Sequence, residues 1–404
     1  MNEARVVINR SRSIQRTAPG RGKTDRGGAN RRRRYGGLRG KRPSRGFAAK
    51  RLARRRGTRR PVRRPGSSGP SALAAGPLRS FLAEAYPAGE AAGKEYGANF
   101  GPGLKPSLQR LWGRWYAARP TGRPDPETYR DACNRFAEGF ARTSGVVVPK
   151  DWIFLPTTKT VAAVITVMNE EQAVPNVIEQ LYRFSLDEVM FVVNGSVDRS
   201  FHLIRSLSPA SIAHYPERLG HDVGRTIGAK LTRSDIVLFL DGDFPVFAEH
   251  LIPFIEAVDR GVDLALNNIN PYIGLFAGRD SVTVVKQFMN RALRRDDLIA
   301  ASLTAVPHAL SRKAIDTVGP ALLAVPPRAQ TAATLRGLVI ECAASVDVFS
   351  HNRQRSNNIG SHNEVSEMII GDHLEALGSA MAERGARLGF EDRIRNRAFA
   401  GGSL

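Results

Sequence analysis

Cysteine is almost missing from this 404-residue chain: Cys133 and Cys342 are too few for a disulfide framework and lack the paired spacing of a zinc site. A reducing, cytoplasmic setting is the expectation. No apolar run approaches the roughly 18 residues that a membrane-spanning helix needs. Any membrane contact is therefore expected to be peripheral. Residues 1–70 are nearly without acid, setting Glu3 and Asp25 against 24 Lys and Arg, 21 of them Arg, for a net charge of +22. The whole chain carries the same formal +22, so the remainder is neutral and the folded body has no nucleic-acid signature of its own. The arm is also poor in large apolar side chains. It cannot offset the entropy of ordering and is expected to be disordered. Its Arg- and Ser-rich make-up is superficially that of a transit peptide, and it has no apolar stretch of the signal-peptide kind. Such an arm can touch RNA, anionic lipid or an acidic polymer, each contact weakening with salt. A solvated tail with no dedicated partner is the alternative.

What is present begins with helices. Residues 71–155 have ordinary composition, broken by Pro and Gly into what read as short helical pieces packed on a main domain. The clearest runs from Asp125 to Thr143, with Asp125-Pro126 as cap and first turn and Gly145 just beyond. Tyr129, Cys133, Phe136 and Phe140 form its apolar stripe, and Trp112, Trp115 and Tyr116 an aromatic cluster that reads as core.

At Val161 the pattern changes to strand, polar turn, helix, repeated, which predicts a parallel sheet with right-handed crossovers. Val161–Val167 is almost continuously apolar and Ile236–Leu240 wholly so, as strands buried on both faces are. Each strand runs into polar residues, and those turns share one sheet edge. That edge collects Glu170, Asn194, Asp198, Asp241 and Asp243. In Asp241-Gly242-Asp243 the two carboxylates point the same way and can converge on one cation, with Gly242 letting a ligand approach the backbone. Hard oxygen ligands suit Mg²⁺ or Mn²⁺ holding a diphosphate. The competing reading is an acidic turn that caps the next helix.

These motifs together resemble the family 2 glycosyltransferases. Asn169-Glu170-Glu171 is similar to the family's opening N-E motif, Asn194-Gly195-Ser196-Val197-Asp198 to its nucleotide-contacting turn, and Gly224-Arg225-Thr226-Ile227-Gly228 to its A-R-N-x-G segment. Asp241-Gly242-Asp243 falls where the family keeps its D-x-D metal site. Val193 stands in place of an expected aspartate, and Thr226 in place of an asparagine. The resemblance covers roughly residues 160–310. It implies an α/β fold of GT-A type, a mostly parallel central sheet flanked by helices, over residues 156–385. The helical extension precedes it and residues 386–404 form a tail.

The implied ligand is a nucleoside diphosphate sugar, met by Asn169, Glu170, Asn194, Asp198, Arg225, Asp241 and Arg353. The implied metal is Mg²⁺ or Mn²⁺ on Asp241 and Asp243. A strand over Val346–Val348 is expected to end in His351, a candidate third metal ligand beside Arg353 and Arg355, or else in a solvated basic loop. His308 either positions an acceptor hydroxyl or is a structural histidine. An inverting enzyme needs a carboxylate base, for which Glu341 and Asp372 stand as the two candidates; a retaining enzyme needs none. Two other functions stay open: a sugar nucleotidyltransferase, against which the absence of a Gly-rich first turn argues, and a degenerate, non-catalytic domain with an RNA- or polymer-binding arm.

Overall fold

The computed structural model describes residues 5–7, 72–98, 103–119, 124–350 and 364–395. One sheet is built from β1 (Arg5–Val7), β2 (Val161–Val167), β3 (Glu188–Asn194), β4 (Ser211–Tyr215), β5 (Ile236–Asp241), β6 (Leu264–Asn267), β7 (His308–Ser311) and β8 (Ile340–Ala344). Their spatial order is β1-β4-β3-β2-β5-β7-β6-β8. The pairs β4/β3, β3/β2 and β2/β5 are parallel, β7 runs antiparallel to both neighbours, and β6/β8 is parallel again. The expected mostly parallel sheet is therefore present. β1, three residues of the basic arm, adds antiparallel to β4; residues 11–71 lie outside the described residues.

Side chains alternate across a strand, and here both faces are covered. Ala163, Ile165, Leu238 and Leu240 point into one core, and Ala162, Val164, Val237 and Phe239 into the other. On the second face pack α6 (Val223–Leu231), α9 (Arg312–Val318) and α10 (Pro326–Leu335). The first face takes α4 (Val174–Leu181), α5 (Ser200–Leu207), α7 (Ala248–Asp259) and the three N-terminal helices. Those are α1 (Ala72–Ala98), α2 (Leu104–Ala117) and α3 (Pro126–Ser144).

The N-terminal helices differ from the expected short pieces, because α1 is a single helix of 27 residues. The glycines of α1 and α3 serve close packing instead of breaking the helices: a Cβ on Gly89 would lie 2.0 Å from the Phe136 carbonyl oxygen, and one on Gly139 would lie 2.2 Å from that of Tyr86. The backbones of α1 and α3 therefore touch where only glycine fits. α3 starts and stops as its sequence dictates, with Asp125 accepting from Thr128 N at 2.9 Å and Gly145 at φ 72° closing the end. Its stripe of Tyr129, Cys133, Phe136 and Phe140 is buried around Trp112. The extension is tied into the sheet-bearing part, for Tyr116 Oη donates to Glu256 Oε1 at 2.7 Å and Gln109 Nε2 to the Leu155 carbonyl at 3.0 Å. The helices and the sheet belong to one compact unit.

One boundary near the end of the sheet also differs from expectation. The last strand is Ile340–Ala344, not Val346–Val348. Asn267 explains why: its side-chain amide bonds the Val346 carbonyl at 3.0 Å and the Val346 amide at 2.9 Å, taking over where the β6/β8 ladder becomes irregular. The closing helix α11 (Glu364–Arg384) runs on past Gly378. Between β6 and β7 lies α8 (Ser281–Ala292), begun by the Asp280 cap. Among the described residues no helix is long and apolar enough to cross a membrane.

Candidate active site at the carboxyl edge of the sheet

Because β2, β3 and β5 are parallel, their carboxyl ends share one edge, where α/β sheets bind ligands. Asp241 closes β5 opposite Thr166 of β2, and Thr166 Oγ1 donates to Asp241 Oδ1 at 2.7 Å. Among the described residues no protein donor bonds its second oxygen. Gly242 is buried, and its amide bonds the Thr166 carbonyl at 2.8 Å. A Cβ there would sit 2.8 Å from Val167 Cγ2. Glycine is thus demanded by packing on β2. Asp243 follows, half-buried, two residues along.

Arg225 is deeply placed. Its guanidinium pairs with Asp222 at 2.9 Å, reaches Asp241 Oδ1 at 3.8 Å and donates to the Leu303 carbonyl at 3.1 Å. Its side chain is only 6 % exposed against 34 % for Asp241, so the fork works on carboxylates already present. Asp222, at φ 60°, stands in the left-handed region, as does Asn169 at φ 59°. Such strain in non-glycine residues gathers at functional sites. Thr226 points elsewhere, to the Pro320 carbonyl at 2.9 Å.

The other turn residues hold one another. Asn169 Oδ1 accepts from Val197 N at 2.8 Å, and Asn169 N donates to Ser196 Oγ at 3.1 Å. Asp198 accepts from Glu171 N and Ser200 N, both at 3.0 Å; burial pushes its carboxyl up, but the bonds from Ser200 and Glu171 win and hold it below the usual range. Asn194 ties Leu219 N and the Gly220 carbonyl at 2.7 and 2.9 Å. Glu170 is buried at 2 % exposure, and Val193 is fully buried in the core. Asn169, Asn194 and Asp198 therefore latch the edge together.

The two candidate bases part company. Glu341 is exposed on β8, three strands from β5 and, through Ala265 and Ala309, level with Leu238 instead of Asp241. The sheet does not bring it to the site. For Asp372 of α11, burial first, then Asp222 and Glu375, raise the carboxyl above the usual range against the pull of His221. His308 is 1 % exposed, bonds the Ala305 carbonyl at 3.1 Å and lies against Phe239. Burial and then Arg225 lower its imidazole to about 3, so it is a neutral structural histidine here. His351, Arg353 and Arg355 lie outside the described residues.

Two contributors escaped the sequence: Thr166 of β2 and Asp222 just before α6.

Whether a divalent cation suits this edge can be judged from its donors. Among the described residues no three His, Cys, Asp or Glu side chains cluster as a metal site. Two carboxylates flanking one residue are nevertheless the hard donor set of a magnesium or manganese ion completed by phosphate and water. Asp241 and Asp243 fit that role.

Residues 162–319 match the sequence model of Glycosyl transferase family 2. A comparison with curated proteins finds no match. Solved structures similar to this chain include glucosyl-3-phosphoglycerate synthase from Mycobacterium tuberculosis with Mn²⁺, UDP and phosphoglyceric acid, at 17 % identity and a TM-score of 0.41 over 58 % of this chain and 81 % of that one. The same enzyme with Mg²⁺ and UDP gives 16 %, 0.43, 58 % and 82 %. Mannosyl-3-phosphoglycerate synthase from Rubrobacter xylanophilus gives 14 %, 0.42, 60 % and 80 %. The family match spans the strands, turns and aspartate pair that carry the edge, so that segment is similar to the family 2 glycosyltransferases.

Proposed function

We propose that this protein transfers a sugar from a nucleoside diphosphate sugar to an acceptor hydroxyl, with a divalent cation on Asp241 and Asp243. The observation that carries this reading is the aspartate pair at the end of β5, one member steered by Thr166 at 2.7 Å and Arg225 at 3.8 Å, inside the family-matched segment. Bound there, Mg²⁺ or Mn²⁺ would neutralise the charge that develops on the departing diphosphate. The Thr166 and Arg225 contacts hold Asp241 in one orientation before any ligand arrives. Asp372 is the base we assign for an inverting reaction, because a carboxyl raised by burial and by Asp222 is better matched to taking a proton near neutrality. Glu341 receives no role. The Arg-rich arm is proposed as a salt-sensitive contact for an anionic surface, separate from the sugar chemistry.

A degenerate binding domain is the second reading, favoured by the buried Val193 where the family pattern has an aspartate and by the burial of Glu170. One experiment separates the two. Purified protein is incubated with Mn²⁺ and a panel of nucleoside diphosphate sugars, and both thermal shift and donor hydrolysis are recorded. The transferase reading expects one base to stabilise the protein and its sugar to be hydrolysed slowly to the free nucleotide. Stabilisation without any turnover supports the binding reading, and no stabilisation by any donor sinks both.

A further inference from the structure

Residues 298–303, between α8 and β7, are held by amide side chains from three separate elements. Asn270, in the short helical turn Asn270–Tyr272, donates to the Leu298 carbonyl at 3.1 Å and accepts from Ala300 N at 3.0 Å. Asn290 of α8 donates to the carbonyls of Ile299 at 2.9 Å and Ala301 at 3.0 Å. Gln330 of α10 accepts from Leu303 N at 2.9 Å and donates to Asn290 Oδ1 at 2.9 Å. Asn290 and Gln330 are each 1 % exposed, so these bonds are made away from water, where leaving one unmade is costly. Within the segment Ile299 stands at φ 48°, a left-handed conformation that a β-branched residue keeps only where its surroundings impose it.

What this clamp fixes is the Leu303 carbonyl. That carbonyl accepts from Arg225 Nη1 at 3.1 Å, and Asp222 Oδ1 takes the same nitrogen at 2.9 Å. Both anchors hold one end of the guanidinium. The other end, Nη2, stands 3.8 Å from Asp241 Oδ1, about 1 Å longer than a charge-assisted bond. Asp241 therefore feels the positive charge without being bonded by it.

We propose that Gln330 is a positioning residue: through Leu303 it holds Arg225 short of a direct bond to Asp241 and so keeps that carboxylate open to a cation. The cation rests on the transferase reading; the placing of Arg225 does not. A guanidinium fork and a divalent cation compete for the same carboxylate oxygens. With the Leu303 carbonyl released, Arg225 loses one of its two anchors and closes on Asp241, and the cation binds less tightly.

The test uses the full chain and two variants. Gln330→Met keeps the volume and loses both amide bonds, while Asn270→Ala frees the same segment at its other end without touching Leu303. Mn²⁺ is titrated alone, by electron paramagnetic resonance, well below the melting temperature of each protein. Both variants are expected to melt at lower temperature than the wild type. Gln330→Met is expected to lose about tenfold in Mn²⁺ affinity, and Asn270→Ala to bind Mn²⁺ as the wild type does. Metal-free crystal structures supply the second readout: Arg225 Nη2 is expected within hydrogen-bond distance of Asp241 in Gln330→Met and beyond it in the wild type. Unchanged Mn²⁺ affinity in Gln330→Met, an unmoved Arg225, or equal losses of affinity in the two variants each overturn the proposal. If Gln330→Met does not fold, Asn290→Ala, which removes the acceptor that fixes the Gln330 amide, takes its place and the same outcomes decide. Should the wild type bind no Mn²⁺, the cation of the transferase reading fails, while the position of Arg225 in the two crystal structures still decides whether Gln330 places it.

Discussion

Replacing Asp243 by alanine is expected to reduce sugar transfer by about a hundredfold to a thousandfold, the scale on which removal of one preorganised charge-stabilising group is felt. Asp243→Ala removes one of two carboxylates proposed to hold the cation, so the leaving diphosphate loses its counter-charge when it needs it most. Folding should be little affected, because the residue is only half-buried at the end of a turn. Steady-state kinetics with the donor found in the panel and saturating Mn²⁺ measures the effect. Asp241→Asn is expected to do similar damage and to disturb more of the site, since its Oδ1 also takes the Thr166 hydroxyl at 2.7 Å. A variant at Asp243 that retains full turnover would remove the residue from the metal assignment. If Asp241→Asn kept full turnover too, the aspartate pair would be a capped turn and no more.

The second large effect lies far from the chemistry. Trp112 is fully buried, its Nε1 donates to Tyr129 Oη at 3.0 Å, and Tyr129 Oη donates to the Phe154 carbonyl at 2.7 Å. Its ring meets those of Phe136 at 5.2 Å and Phe154 at 5.5 Å between centroids. Trp112→Ala is expected to cost about 3–5 kcal/mol through lost burial and the cavity left behind. Trp112→Phe, which keeps most of the ring and loses the hydrogen bond, should cost less. Because the Tyr116–Glu256 bond at 2.7 Å joins extension and sheet, unfolding by denaturant should remain a single transition shifted to lower concentration. Two separated transitions in Trp112→Ala would mean that the helices are an independent appendage.

Legibility in the sequence followed how local the cause was. β2 and β5 announce themselves as almost wholly apolar runs because both faces are buried, and α3 because cap, stripe and terminal glycine all lie within or next to it. The polar turns could be placed on one edge because parallel topology forces them there. What the turns do was less legible: Asn169 and Asp198 have the residue types of ligand contacts, yet their partners are Val197, Ser200 and Glu171, known only once β2 and β3 lie side by side. The long α1 was hidden because Gly89 and Gly93 read locally as breakers, whereas their purpose is contact with a helix some fifty residues away. Val346–Val348 has the better strand composition, but Asn267 takes the Val346 backbone for itself, and the less apolar Ile340–Ala344 completes the ladder. Glu341 stood level with any other candidate base until the register of β8 set it beside Ala265, three strands from β5.

The central claim is that the aspartate pair binds a nucleoside diphosphate through a divalent cation. Calorimetric titration of the protein with a panel of nucleoside diphosphates, in Mn²⁺ and again in excess chelator, tests it most directly. The account predicts saturable binding of one base in Mn²⁺, with affinity falling by about tenfold or more in chelator and in Asp243→Ala. Binding that is equally tight without metal, or no binding of any nucleoside diphosphate, would contradict it.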